Sequence, residues 1–171
     1  MTKITSVKLI NFNDKSAIKK EIDDFCLKYA YANIEHAIII SPDGKIYKLT
    51  GTKINVNSVI VGNEALIGSV GIHNHPVPNG ESLGDSFSKQ DLGFAAEYKT
   101  GKQYLVSGER RDAFEYIGNL NRGEIEKKYD EAFTIIRNNA LETGINIHAE
   151  QQQIMEKLNE TLEGFKYYGR F

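Results

Sequence analysis

The sequence predicts an α/β or α+β domain built on a mixed β-sheet, and three observations carry that expectation. Short alternating or β-branched segments recur along the chain, amphipathic helical patterns lie between them, and Pro, Gly, Asn and Asp clusters mark the joints. At 171 residues with 40% hydrophobic content, the chain can bury one core of its own, so a single domain over 1–171 is expected.

Taken in order, Ile4 to Ile10 alternates apolar and polar residues like a half-buried strand. After the polar cluster NFNDKS, apolar residues at Ile18, Ile22, Phe25, Cys26 and Tyr29 mark one face of a helix over roughly 16–31. HAIIIS and KIYKLTG are too short for typical helices, and Pro42-Asp43-Gly44 between them signals a β-hairpin. Within 55–68, VNSVIVG is strand-like and NEALIG reads as a loop or one helical turn, after which SVGIH resumes as a strand. From Ser88, Leu92, Ala95 and Ala96 recur at helical spacing, with a hydroxyl at the N-cap position and Asp91 in the first turn; this helix ends near Thr100-Gly101. QYLVSG and DAFEYIG read as two strands around the charged turn GERRD. Two polar helical segments follow, broken at Gly144, and their stripes (Ile125, Tyr129, Phe133, Ile136; then Ile147, Ile154, Leu158) are expected to pack on the domain. An aromatic tail, FKYYGRF, ends the sequence and is likewise expected to pack on the domain.

Composition narrows the function classes. The 21 basic and 23 acidic side chains nearly cancel without long single-sign runs, so neither nucleic acid nor a charged membrane surface is indicated as a partner. The single cysteine, Cys26, cannot form an internal disulfide and sits where a small buried hydrophobe is expected. The N-terminal stretch lacks an apolar signal-peptide segment and no apolar run reaches membrane-spanning length, so a cytoplasmic location is expected.

The residues with chemistry gather in GIHNHPVPNGESLGDSFSKQDLGF, 71–94. In an extended strand, side chains two apart share a face, so His73 and His75 present both imidazoles to one spot, and Pro76 favours extended backbone just before it. Two imidazoles are half of a tetrahedral zinc site. The downstream carboxylates Glu81, Asp85 and Asp91 are the candidates for a third ligand, Asp91 being the one on a predicted helix.

His73-x-His75-Pro76 followed by Ser88-x-x-Asp91 resembles the signature of JAMM (MPN-type, JAB-like) zinc metalloproteases, in which an upstream Glu precedes His-x-His-Pro, a spacer and Ser-x-x-Asp. HNHP with SFSKQDL looks most like the bacterial and phage-associated branch, where HNHP and an FS-x-x-D segment recur. The spacer is longer here than in many members, and Ser82-x-x-Asp85 is a second, nearer Ser-x-x-Asp. The helix start at Ser88 and the match of Phe87 to the FS-x-x-D pattern favour Asp91, leaving VPNGESLGDSF as an insertion that would line or cover the cleft.

The resemblance implies an MPN/JAB-like core over about 16–118, with the strand–helix order compatible from about Ile34 to Gly118, and a helical extension over about 122–171. It also implies Zn²⁺ on His73, His75 and Asp91, Glu35 as general base, and Ser88 helping to stabilise the oxyanion. The activity implied is hydrolysis of a peptide or isopeptide bond in a protein or peptide substrate, ubiquitin-like conjugates among them. Glu35, at the start of the first hairpin strand, is preferred as base over Glu64, which is closer to the histidines and in a loop. His36 is expected on the opposite side of its strand, and His148 is expected to be exposed. A non-catalytic MPN-like interaction scaffold is the alternative; such relatives typically lose ligands, whereas every expected residue type is present. A DNA-repair relative with a similar HNHP is disfavoured by the absence of a recognisable helix-hairpin-helix segment and of a basic patch.

Overall fold

Strand β1 (Lys3–Leu9) leads through helix α1 (Lys15–Tyr29) to the hairpin β2 (His36–Ile40) and β3 (Lys45–Thr50). The one-turn helix α2 (Asn63–Leu66), strand β4 (Val70–Asn74) and helix α3 (Lys89–Tyr98) follow. A second hairpin, β5 (Gln103–Ser107) and β6 (Arg110–Tyr116), precedes α4 (Arg122–Thr143), α5 (Glu150–Thr161) and β7 (Phe165–Tyr168). This computed structural model describes residues 1–143 and 150–171. Among them, seven strands form one mixed sheet in the order β1-β3-β2-β4-β5-β6-β7, the α/β architecture that the sequence predicts.

Each helix is explained by its ends and its buried face. Asp14 caps α1, its carboxylate accepting from the Ser16 and Ala17 N–H groups at 2.9 and 3.1 Å. Ile22, Phe25 and Cys26 then pack on one face of the sheet, against Ile38, Ile40, Ile46, Ile72 and Val106. The opposite face is covered in two parts: Leu66 and Tyr98 meet Ala37, Ile39 and Leu49, while α3, α4 and α5 bury Leu92, Ile125, Ile154 and Leu158 against Leu105 and Phe114. Strand β2 is therefore buried on both faces, which is why Ala37-Ile38-Ile39-Ile40 is continuously apolar.

Strands β4 and β5 are parallel, whereas every other paired strand is antiparallel. A parallel pair needs a crossover, and α3 supplies it. The carboxyl end of β4 and the amino end of α3 are thereby brought to the same edge of the domain. Ligands in α/β sheets characteristically sit at such strand ends.

Three expectations are corrected. VNSVIVG is not a strand: Ser58–Val61 forms a 3₁₀ turn, with the Asn57 side chain accepting from the Val59 N–H at 3.1 Å. The segment meets the residue before β1, the Asn57 N–H donating to the Thr2 hydroxyl at 2.8 Å, without joining the ladder, and Val59 and Ile60 are exposed. The aromatic tail contains a strand, β7, paired antiparallel to β6; four residues are too few to show a period. The sheet also extends beyond the core expected over about 16–118, since β1 precedes it and β7 follows it. Gly144, Ile147 and His148 lie outside the described residues. Among those described, no helix is long and apolar enough to cross a membrane.

Candidate metal centre

Strand alternation sends Ile72 into the α1 side of the core, which leaves Gly71 and His73 on the α3 side. The strand stays extended past its last ladder pair because the His75 N–H donates to the Val106 carbonyl at 3.1 Å. The two imidazoles are neighbours, with ring centroids 5.2 Å apart, and buried Phe87 meets His73 edge-on at 6.0 Å. At the start of α3, the Asp91 carboxylate reaches back to its N-cap residue: Oδ2 accepts from the Ser88 N–H and the Ser88 Oγ–H, both at 2.7 Å. Oδ1 is left facing His73 Nε2 at 3.6 Å.

Among the described residues, His73, His75 and Asp91 are the one set of three His, Cys, Asp or Glu side chains whose ligand atoms converge, all within 4.8 Å of one another. Zinc bonds of 2.0–2.2 Å in a tetrahedron place ligand atoms about 3.4 Å apart. The His73–Asp91 pair is already close to that, and small side-chain rotations would close the widest gap. Two nitrogens and a carboxylate oxygen with one open position match a three-ligand zinc site. The residues present therefore fit the ion that the resemblance implies.

Ligation needs neutral imidazoles with a bare nitrogen aimed at the site. His75 Nδ1 lies 3.2 Å from the Gly84 carbonyl; a carbonyl only accepts, so Nδ1 carries a proton, and in the neutral ring Nε2 is the bare nitrogen. Burial pushes the His73 pKa down, against the pull of Asp91, and keeps its ring neutral. Burial works to raise the Asp91 pKa, but the attraction its carboxylate would have for protonated His73 and His75, together with the two Ser88 hydrogen bonds, outweighs burial and leaves Asp91 below the ordinary carboxylate value.

Glu35 sits one residue before β2. The pairing Ala37↔His73, continued by two residues, brings Glu35 opposite His75 on the cleft side. Its backbone is pinned on the β3 side, the N–H donating to Thr52 O at 2.7 Å and the C=O accepting from Gly51 N at 2.8 Å. On the β4 side, where the ladder has ended, the fully buried Asn74 amide substitutes for it: Oδ1 accepts from the His36 N–H at 2.7 Å and Nδ2 donates to Ile34 O at 3.1 Å. Burial, and next the negative charge of Asp91, raise the Glu35 pKa to about 7, against a Val56 backbone hydrogen bond that lowers it. That value suits a proton acceptor near neutrality.

Glu35, His73, His75, Ser88 and Asp91 line one cleft of about 570 Å³. Leu83 and Phe87 from the spacer also line it, as expected of that insertion. His36 is elsewhere, stacked on Tyr29 at 4.0 Å. Glu64 and Glu81 are exposed and do not line the cleft. Asp85 does not line it either; its carboxyl pKa is raised by burial, while its backbone N–H donates to Gln151. The Ser88 hydroxyl is engaged with Asp91, so donating to a substrate oxygen requires it to rotate away.

Sequence reasoning missed three groups. Asn74 was visible as the residue between two cleft-facing histidines, and strand alternation already turned it away from them. Gly84 and Gln151 carry no such signal, because their roles depend on how the spacer folds against a helix far away in sequence. No family model matches the chain, and no curated protein or solved structure matches it. The JAMM resemblance therefore rests on His-x-His-Pro, Ser-x-x-Asp and Glu35 themselves.

Proposed function

We propose that the protein is a zinc-dependent hydrolase of peptide or isopeptide bonds, of the JAMM type. The observation that carries this reading is the convergence of His73, His75 and Asp91 in the cleft that Glu35 also lines. Zinc held by the three ligands would supply Lewis acidity, acidifying water and polarising a carbonyl.

The chain's own residues supply the rest. Ionised Glu35 accepts a proton as water oxygen forms its bond to the substrate carbonyl carbon. The same carboxyl returns that proton to the amide nitrogen as the C–N bond breaks, so Glu35 ends as it began. Ser88, by rotating its hydroxyl off Asp91, donates to the oxygen that gains charge in the tetrahedral intermediate. Phe87 and Leu83 supply apolar lining on the spacer side.

Elemental analysis of protein purified without chelator tests the first half, with about one zinc per chain expected and a loss of zinc in the double variant His73→Ala/His75→Ala. Cleavage of a peptide library and of ubiquitin-like isopeptide conjugates, abolished in Glu35→Gln, tests the second. Zinc bound with no cleavage of either substrate class would point to the interaction scaffold instead.

A further inference from the structure

We propose that Gln151, on α5, is a positioning residue of the metal centre, which it serves by holding the spacer so that the Gly84 carbonyl fixes the His75 imidazole. The catalytic meaning of this rests on the zinc-hydrolase reading; the geometry does not. Gln151 Oε1 accepts from two successive backbone donors, the Asp85 N–H at 3.0 Å and the Ser86 N–H at 3.2 Å. The preceding residue is Gly84, whose carbonyl accepts from His75 Nδ1 at 3.2 Å.

Gly84 is wedged between the two side chains. A Cβ there would stand 2.7 Å from His75 Nδ1 and 3.1 Å from Gln151 Oε1, closer than a side chain tolerates. The amide of Gln151, the glycine and the imidazole thus form a continuous stack without slack. Glu81, Ser82 and Leu83 are exposed, and the other ties on this side are the Ser82 hydroxyl, which donates to the Gly84 carbonyl at 2.5 Å and pairs with Ser107, and the Leu83 N–H, which donates to Pro76 O at 3.0 Å. The spacer's support from outside the strand–helix unit's own chain comes from α5, which is anchored by buried Ile154, Met155 and Leu158. Ile154 and Met155 follow Gln151 by three and four residues, on the same helix face, so the clamp projects from a packed surface.

A carbonyl held against Nδ1 selects the form of His75 whose Nε2 is bare. Without the clamp, the spacer can move and the ring is free to exchange between its two neutral forms.

Nitrogen-15 NMR of the imidazoles in metal-free protein at mildly alkaline pH reads the His75 tautomer directly, and zinc titration against a competing chelator reads affinity. Wild type is expected to carry the proton on Nδ1. Gln151→Glu keeps the acceptor oxygen and is expected to keep that tautomer. Gln151→Leu removes the acceptor, and is expected to show the Nε2–H form and a zinc affinity lower by about 10–100-fold, the usual effect of losing an outer hydrogen-bond partner. If Gln151→Leu does not fold, Gln151→Ala carries the same comparison. Wild-type tautomer and affinity in the acceptor-free variant would overturn the proposal, even if its melting temperature fell. Absence of zinc binding in wild type would defeat the zinc-hydrolase reading, and the tautomer comparison would still decide the role of Gln151.

Discussion

Replacing Glu35 by Gln removes the one cleft carboxyl whose ionisation the fold opposes, and the consequence for stability has a definite sign. The Glu35 pKa rises from 4.5 to about 7 on folding. A group with a raised folded-state pKa contributes fully below its unfolded pKa, and the contribution is lost as pH climbs through the folded value. Wild type should therefore lose stability between pH 4.5 and about 7, whereas Glu35→Gln should not lose this component. At about 1.36 kcal/mol per pKa unit, the ceiling is ~3 kcal/mol. Glu35 is only half-buried, so screening brings the expectation down to ~1–2 kcal/mol. For a domain of this size that is a gain of about 3–6 °C in melting temperature. Glutamine keeps an oxygen that can accept the Val56 backbone hydrogen bond. The assay is a series of thermal melts of both proteins in chelator across that pH range. Equal melting temperatures at acid pH and a variant advantage above neutrality are expected, shrinking when zinc is added because a cation offsets the repulsion from Asp91. A difference that does not vary with pH, or a variant less stable above neutrality, would refute the burial argument for Glu35.

Three further substitutions separate neighbouring roles. Asp91→Asn should abolish measurable zinc binding in a calorimetric titration, whereas Asp85→Asn should retain it and be at least as stable as wild type above the ordinary carboxylate range, since the Asp85 carboxyl is already disfavoured as an anion by burial; the reverse pattern would make Asp85 the third ligand. Asn74→Leu strips partners from the Ile34 carbonyl and the His36 N–H, which should cost about 2–4 kcal/mol in urea unfolding and speed hydrogen exchange at the His36 amide, and unchanged exchange there would show that Asn74 does not hold the Glu35 backbone.

Much of the fold and most of the candidate site are legible in short-range pattern. The buried faces of α1 and α3 follow from apolar spacing, the β2–β3 hairpin from Pro42-Asp43-Gly44, and the shared face of His73 and His75 from strand period. The N-cap position of Ser88 places Asp91 in the first helical turn, which is why a helix signal distinguished it from Asp85. What pattern could not carry is anything decided by pairing partners distant in sequence. VNSVIVG has the β-branched composition of a strand, but the Asn57 side chain caps it into a 3₁₀ turn instead. FKYY pairs with β6 although it is too short to show a period. The support of His75 comes from Gln151 through a spacer without regular periodicity, and no local rule links those residues.

The long spacer changes how such a site is stabilised. In a short connection the turn geometry itself would hold the third ligand against the strand end. Here Asp91 is fixed by its own helix start, while the intervening chain is free to serve a different purpose, and its Gly84 carbonyl meets His75 Nδ1 at 3.2 Å. This carbonyl also accepts from the Ser82 hydroxyl at 2.5 Å, and the spacer on either side of it is tied to the later helices: Gln151 on α5 accepts from the Asp85 N–H, and the Tyr129 hydroxyl on α4 donates to Phe87 O at 3.4 Å. Two segments that the motif alone would treat as an appendage thereby become part of the centre's outer wall. Docking of α4 and α5 and ordering of His75 then favour one another by linkage: whatever binds the ordered imidazole also stabilises the docked helices, by the same free energy.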